Sequence, residues 1–327
     1  MLDILHNNNW ERPIYFTGGS YDDSEYFWMK DYLQLDGLVY KLVPIKTSLD
    51  PNNPYQMGRI DPNRMYDIVM KWDWGNSESP DIYHDPETRK NSISFRSNIT
   101  RLANALIEEE QTEKAITALD LAMEKMPIET FGYYSLVTPI ASAYYRAGAT
   151  EKAQQIVQKL AVGFQEYMRY YAQWGNDDQL ALMENLVGNV ERYKSLLTEV
   201  VQARDYETLA AIYDPFYESI LPFSHIYGNY DFYSDLTPFV AGLYAADKLE
   251  LARELSGNIT QQYIDLLNRF LTLEKEQLTY FEMEIGIEIE AYKSLVSTIR
   301  RNETDPKVIE KVQNTYTETI SQFAFLD

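Results

Sequence analysis

From about Ser94 to the C-terminus, apolar and small residues recur at helical spacing in paired segments. No other feature of the chain restricts its fold as much. Ile99, Leu102, Ala103 and Leu106, then Ala115, Leu119 and Ala122, close at Pro127. That order matches two antiparallel helices in a tetratricopeptide-like unit of about 34 residues. The template returns at Val137, Ile140, Ala141, Tyr144, Ala153, Val157 and Leu160, and again at Leu236, Phe239, Val240, Leu243, Ala252 and Ile259. Small residues recur because two helices that cross closely leave no room for long side chains. Thr112 is placed to cap the second helix of the first unit, with Glu113 favourably set against the helix dipole. The expected fold is mainly α: a tetratricopeptide-like helical-hairpin array (an α-α superhelix) with a small mixed α/β or irregular N-terminal segment.

The stretch from Asp178 to Pro222 is also helical but departs from this template. Leu180, Met183, Leu186, Val187, Val190, Tyr193 and Leu197 form one apolar stripe, and Asp205 is a cap for the next helix. Between Glu282 and Glu290 the apolar residues alternate as in a strand. Over a longer window Leu278, Ile285, Tyr292 and Ile299 repeat every seven residues, so a helix is expected. Asp305-Pro306 starts the last helix. In the first third, Arg12 to Thr17 is a short strand, and Tyr32 to Pro44 reads as a helix running into a strand. Ser48 to Pro86 is mostly loop, with a short helix near Arg64 to Lys71. Two domains are expected, 1–93 and 94–327.

The 327 residues carry a formal charge of -21. A polyanion cannot neutralise phosphates, so nucleic acid is excluded as a partner and anionic lipid is disfavoured. The chain itself is expected to make no membrane contact. It has no cysteine, hence no disulfide, thiolate metal site or cysteine nucleophile. No segment has the ~18 consecutive apolar residues of a membrane span, and the start lacks the basic and apolar regions of a signal peptide. The expectation is a cytosolic protein or a piece of something longer.

The search for chemistry finds no nucleophile elbow, Walker A sequence, dinucleotide fingerprint or zinc-protease spacing among His6, His84 and His225. The reading is a chain that is no enzyme by itself, with no catalytic residue, no metal and no cofactor. Aromatic residues are the one excess with a functional use: 27 tyrosines, 13 phenylalanines and 5 tryptophans. Tyr and Trp suit recognition because they pair a large apolar face with a polar tip, and their rings also stack on sugars. The candidate binding residues are Trp10, Arg12, Trp28, Trp72, Trp74, Tyr133, Tyr134, Tyr227 and Tyr230. The competing use of the same rings is to fill helix-pair cores and loop bases.

Several strings also resemble a known family. Asn8-Asn9-Trp10-Glu11-Arg12-Pro13-Ile14-Tyr15-Phe16 looks like the segment after the last membrane span in a family of multi-pass proteins abundant in Bacteroidetes. Tyr32 to Pro44 and Met65 to Asn76 resemble its next two blocks, and the repeat-like unit Phe95 to Pro127 follows in the same order. That family is similar to membrane-embedded protein O-mannosyltransferases with a repeat tail. The resemblance implies an extracytoplasmic C-terminal tail, on the periplasmic side and tethered through the rest of the protein. It implies a partner that is a protein or peptide, such as a glycosylation acceptor, or a glycan. The family's catalytic acid lies between early membrane spans that this sequence does not contain, so no catalytic residue carries over. The other reading is a helical glycan-binding protein of the outer-membrane nutrient-capture type.

Overall fold

In the computed structural model, residues 2–17, 28–47, 57–132, 136–223, 236–274, 278 and 280–324 are described. Among them are fourteen α-helices and one three-stranded sheet, so the protein is mainly α with a small mixed N-terminal segment. Two compact units divide at Val157/Gln158.

In the first unit, α1 (Leu2–Asn8) precedes β1 (Tyr15–Thr17), β2 (Leu33–Asp36) and β3 (Val39–Leu42). The sheet is antiparallel, in the order β1-β3-β2. The expected helix running into a strand over Tyr32 to Pro44 is therefore a β-hairpin. Gly37 takes φ +73°, a region that costs glycine nothing, and Asp36 and Val39 pair directly across the turn. The free edge of β2 is taken up by Arg59, whose backbone exchanges bonds with Leu33 and Leu35. All four residues of β2 are buried as a result. Phe16, Met29, Leu33, Leu42 and Met57 make a small core, with Leu5, Ile14 and Tyr40 packed against it. Asp36 is a buried carboxylate, satisfied by Gln34 Nε2 and Arg64 Nε, both at 2.9 Å.

Next comes α2 (Pro62–Val69), capped by Asp61 with proline in its first turn. Helix α3 (Pro86–Glu108) starts well before Ser94, because Asp85-Pro86 is itself a cap and first-turn proline; Asp85 accepts from the backbone of Glu87 and Thr88. It runs unbroken across the expected 93/94 boundary. After it come α4 (Thr112–Lys125), α5 (Ile128–Phe131), α6 (Thr138–Arg146) and α7 (Thr150–Ala172). Gln111, rather than Thr112, is the cap residue of α4, and it makes no side-chain capping bond.

The second unit holds the end of α7, then α8 (Asn176–Ala181), α9 (Met183–Gln202), α10 (Tyr206–Ile220), α11 (Thr237–Ala245), α12 (Leu249–Phe270), α13 (Glu282–Asn302) and α14 (Pro306–Ser321). The segment Glu282 to Glu290 is helical as expected. Asp205 and Asp305 cap α10 and α14, accepting from Thr208 N and Lys307 N.

One turn geometry joins α3 to α4, α6 to α7, α9 to α10 and α11 to α12. In each a single residue sits in the left-handed region: Glu110, Gly148, Arg204 and Asp247, at φ between +57° and +75°. The next residue's N–H then bonds back to the carbonyl five positions earlier: Gln111 to Leu106, Ala149 to Tyr144, Asp205 to Val200 and Lys248 to Leu243. This is the Schellman closure, which satisfies a carbonyl left over at a helix end. Four residues further on, a fully buried side chain faces the partner helix: Ala115, Ala153, Leu209 and Ala252. The two alanine-poor helices α9 and α10, read from sequence as off-template, thus form a hairpin of the same kind.

Candidate functional site

An aromatic-lined concavity lies in the first unit. It is a cavity of about 350 Å³, lined by Leu38, Trp72, Asp73, Trp74, Ser77, His84, Thr88, Asn91, Ser92, Phe95, Met126 and Phe131. Each wall has a local cause. Trp72 follows the last turn of α2, its N–H bonded to Val69 O. Asp73 then turns the chain by accepting from Gly75 N at 3.1 Å, and Gly75 and Asn76 adopt left-handed conformations in succession. Phe95 and Ser92 come from the first turns of α3, which begins at Asp85 for the capping reason given above.

Trp72, Trp74 and Phe95 form a nest. Their ring centroids lie 5.5, 5.3 and 5.3 Å apart, and the planes meet at 68°, 78° and 50°. Such edge-to-face contacts place the positive ring edge on the negative ring face. The indole of Trp72 rests on Gly37, where a Cβ would come within 2.9 Å of Cζ2. Asn98 Nδ2 ties the carbonyl of Gly37 to α3 at 2.9 Å.

On the opposite side, His84 lies 4.7 Å from Phe131, centroid to centroid. Its Nε2 is 2.9 Å from the main-chain oxygen of Ser77, which can only accept, so Nε2 carries a proton and donates. Ser77 Oγ donates to Lys125 O at 2.8 Å, and Lys125 Nζ pairs with Glu78 at 2.6 Å. The loop 77–84 is thereby tied to the end of α4. Beneath this wall Arg96 is wholly buried. It donates to Met126 O at 2.7 Å and Gly132 O at 2.6 Å. Burial pulls its pKa down to about 10, so it is still a cation at neutral pH. Arg96 thus fixes the main chain on both sides of the segment that carries Met126 and Phe131 into the cavity.

As chemistry, the site is an apolar nest with a polar rim. The hydroxyls of Ser77 and Ser92 both donate to main-chain carbonyls, and the bond of His84 is to backbone, so neither serine forms a nucleophile–base pair with it. No group of His, Cys, Asp or Glu suited to a metal ion occurs among the described residues.

Of the residues singled out from sequence, Trp72 and Trp74 meet here. Trp10 and Trp28 line a second cavity, also about 350 Å³, between α1 and the sheet, with Leu5, Ile14, Met29, Tyr32 and Leu42 around them. Both are more than half exposed, at 58% and 59%. Arg12 is exposed, and its carbonyl accepts from Asn8 Nδ2 at 2.8 Å. Tyr133, Tyr134, Tyr227 and Tyr230 lie outside the described residues. Sequence reasoning missed Phe95, His84 and Phe131, which only the folding of α3 and α5 brings to the tryptophans. It also missed Tyr167 and Tyr170 on α7 and Trp174 just past its end, an exposed group in which Tyr170 touches both Tyr171 and Trp174. Their spacing of three and four residues was the signal that could have found them.

No helix among the described residues is long and apolar enough to cross a membrane. No curated protein and no solved structure matches the chain. Residues 1–64, which hold α1, the sheet and the start of α2, match the family model of TMEM260-associated domain 2, a domain named for a membrane protein.

Proposed function

We propose that this chain is the extracytoplasmic, periplasmic-side tail of a membrane-embedded glycosyltransferase-like protein, and that it is a non-catalytic domain which holds an acceptor polypeptide or partner protein. The observation that carries this reading is the Trp72–Trp74–Phe95 nest with His84 and Phe131 opposite. The three rings meet at steep angles, so they offer a concave socket for an inserted side chain and no flat platform for a sugar ring. The rim groups Asp73, Thr88 and Asn91 stand where a bound backbone would need partners. Hairpins with the spacing of tetratricopeptide repeats support a scaffold role, because stacked helix pairs present rigid surfaces. The match of residues 1–64 supports the membrane setting.

Glycan binding, as in helical outer-membrane nutrient-capture proteins, is the second reading, favoured by the polar rim beside Trp72. One titration separates the two. The chain is mixed with an unfolded polypeptide rich in serine and threonine or with neutral oligosaccharides, and tryptophan fluorescence is followed. Saturable binding of the polypeptide, weakened by Trp74→Ala, is expected. Saturation by oligosaccharide alone would overturn the acceptor reading.

A further inference from the structure

We infer that the occupant of the Trp72–Trp74–Phe95 cavity is a basic polypeptide segment, whose Arg or Lys side chain enters the nest. This deepens the acceptor reading and rests on it. Among the described lining residues Asp73 is the only carboxylate, and there is no Lys or Arg. One oxygen of Asp73 accepts from Gly75 N, and the residue forms no ion pair among the described residues. The stretch that wraps this side of the cavity, residues 73–88, carries Asp73, Glu78, Asp81, Asp85 and Glu87, one histidine, His84, and no Lys or Arg. Of the nearby cations, Lys125 pairs with Glu78 and Glu124 and Lys90 with Glu87, while Arg96, beneath the wall, bonds only main-chain carbonyls and Arg89 forms no ion pair among the described residues. Asp81 and Asp85, like Asp73, have no ion pair among the described residues, and Asp85 is held in its charged form by Thr88 and the first backbone N–H groups of α3. A long aliphatic stem ending in a cation satisfies each part of this environment. The stem meets the apolar walls, the charge meets ring faces, and the head reaches Asp73. A neutral apolar side chain would use the walls and leave Asp73 to Gly75 N and solvent, gaining nothing from its charge. An acidic segment would be repelled by a chain of net charge -21.

The test uses the whole chain and three synthetic peptides of equal length: one containing Arg and Lys, one in which these are replaced by citrulline and glutamine, and one acidic. Binding is followed by tryptophan fluorescence at about 50 and about 300 mM salt, which shortens the screening length from about 14 to about 6 Å. The basic peptide is expected to bind about tenfold more tightly than the neutral one at low salt, with most of that preference lost at high salt. Asp73→Asn, a change at an exposed residue that removes the charge and keeps an acceptor oxygen, is expected to weaken the basic peptide severalfold and the neutral one much less. Equal affinity for basic and neutral peptides would overturn this inference and leave the acceptor reading standing. Binding of none of the three would overturn both.

Discussion

Arg253 donates from Nε and Nη2 to the two carboxylate oxygens of Glu303, both at 2.8 Å. Tyr244 Oη donates to the same carboxylate at 3.1 Å, and the backbone N–H groups of Thr304 and Asp305 at 2.8 and 2.9 Å. One buried side chain thus joins α11, α12 and the junction of α13 with α14. Arg253 holds the Glu303 carboxyl down at about 2; burial opposes this, and the two backbone N–H groups and Tyr244 add to it. The folded value lies below the unfolded value of about 4.3, so this stabilisation is fully present above that pH and is lost as pH falls towards 2. Glu303→Gln should lower stability at pH 7 by about 2–3 kcal/mol, less than the ~3–5 kcal/mol of a fully buried pair because Arg253 is partly solvated. It should also flatten the acid limb of a plot of Tm against pH. Parallel acid limbs for the variant and the native protein would contradict the assignment.

Gly242 on α11 faces Leu209 on α10. A Cβ at this glycine would lie 2.6 Å from Leu209 Cδ2 and 3.4 Å from a ring carbon of Tyr206. Both residues are buried, so Gly242→Ala should overpack the contact and cost about 1–3 kcal/mol. In the double variant with Leu209→Ala the two costs should fall short of their sum by more than about 0.5 kcal/mol, since the removed leucine makes room for the methyl. Chemical denaturation of the four proteins of this cycle measures it, and strict additivity would refute the contact.

Gly148 isolates the backbone part of the turn geometry. Its φ is +75°, and nothing lies within 4 Å of an added Cβ. Gly148→Ala should therefore cost about 1 kcal/mol through left-handed strain alone. Asp247→Gly, at the matching turn between α11 and α12, should be neutral or mildly stabilising. A fall in midpoint for Asp247→Gly as large as that for Gly148→Ala would count against the shared geometry.

Gly37 tests how the aromatic cavity is supported. With φ +73° and a Cβ path blocked by Trp72, Gly37→Ala must displace the indole. The β-hairpin should lose about 1–2 kcal/mol, and the fluorescence of Trp72 should change. Peptide binding should weaken even though residue 37 does not touch the ligand. Native binding and an unchanged emission spectrum would show that Trp72 is positioned by something else.

Much of the helical architecture was legible because period and capping are local properties. Ile99, Leu102, Ala103 and Leu106 share one face whatever follows them, and Asp205 and Asp305 cap helices through bonds that span two or three residues. The hairpin of α9 and α10 escaped the template because Leu209 stands where the matching turns are followed by Ala115, Ala153 and Ala252. The space Leu209 needs is provided by Gly242 in the next helix, which no window on α9 and α10 contains. The β-hairpin at Gly37 was misread for a related reason: the apolar run Leu33 to Val43 is compatible with helix or strand, and the pairing of Asp36 with Val39 together with the capture of an edge by Arg59 decides it.

The sequence by itself determined the paired helical pattern, the caps at Asp205 and Asp305, which faces are apolar, and that the chain is a cysteine-free polyanion rich in Trp and Tyr, because these follow from short-range geometry and from composition. Only the tertiary structure decided that Phe95, His84 and Phe131 close around Trp72 and Trp74, that Arg96 supports their wall, and that Glu303 binds three helices together. Such contacts join residues tens of positions apart, and they depend on how packed helices bring backbones into register, which no local pattern encodes.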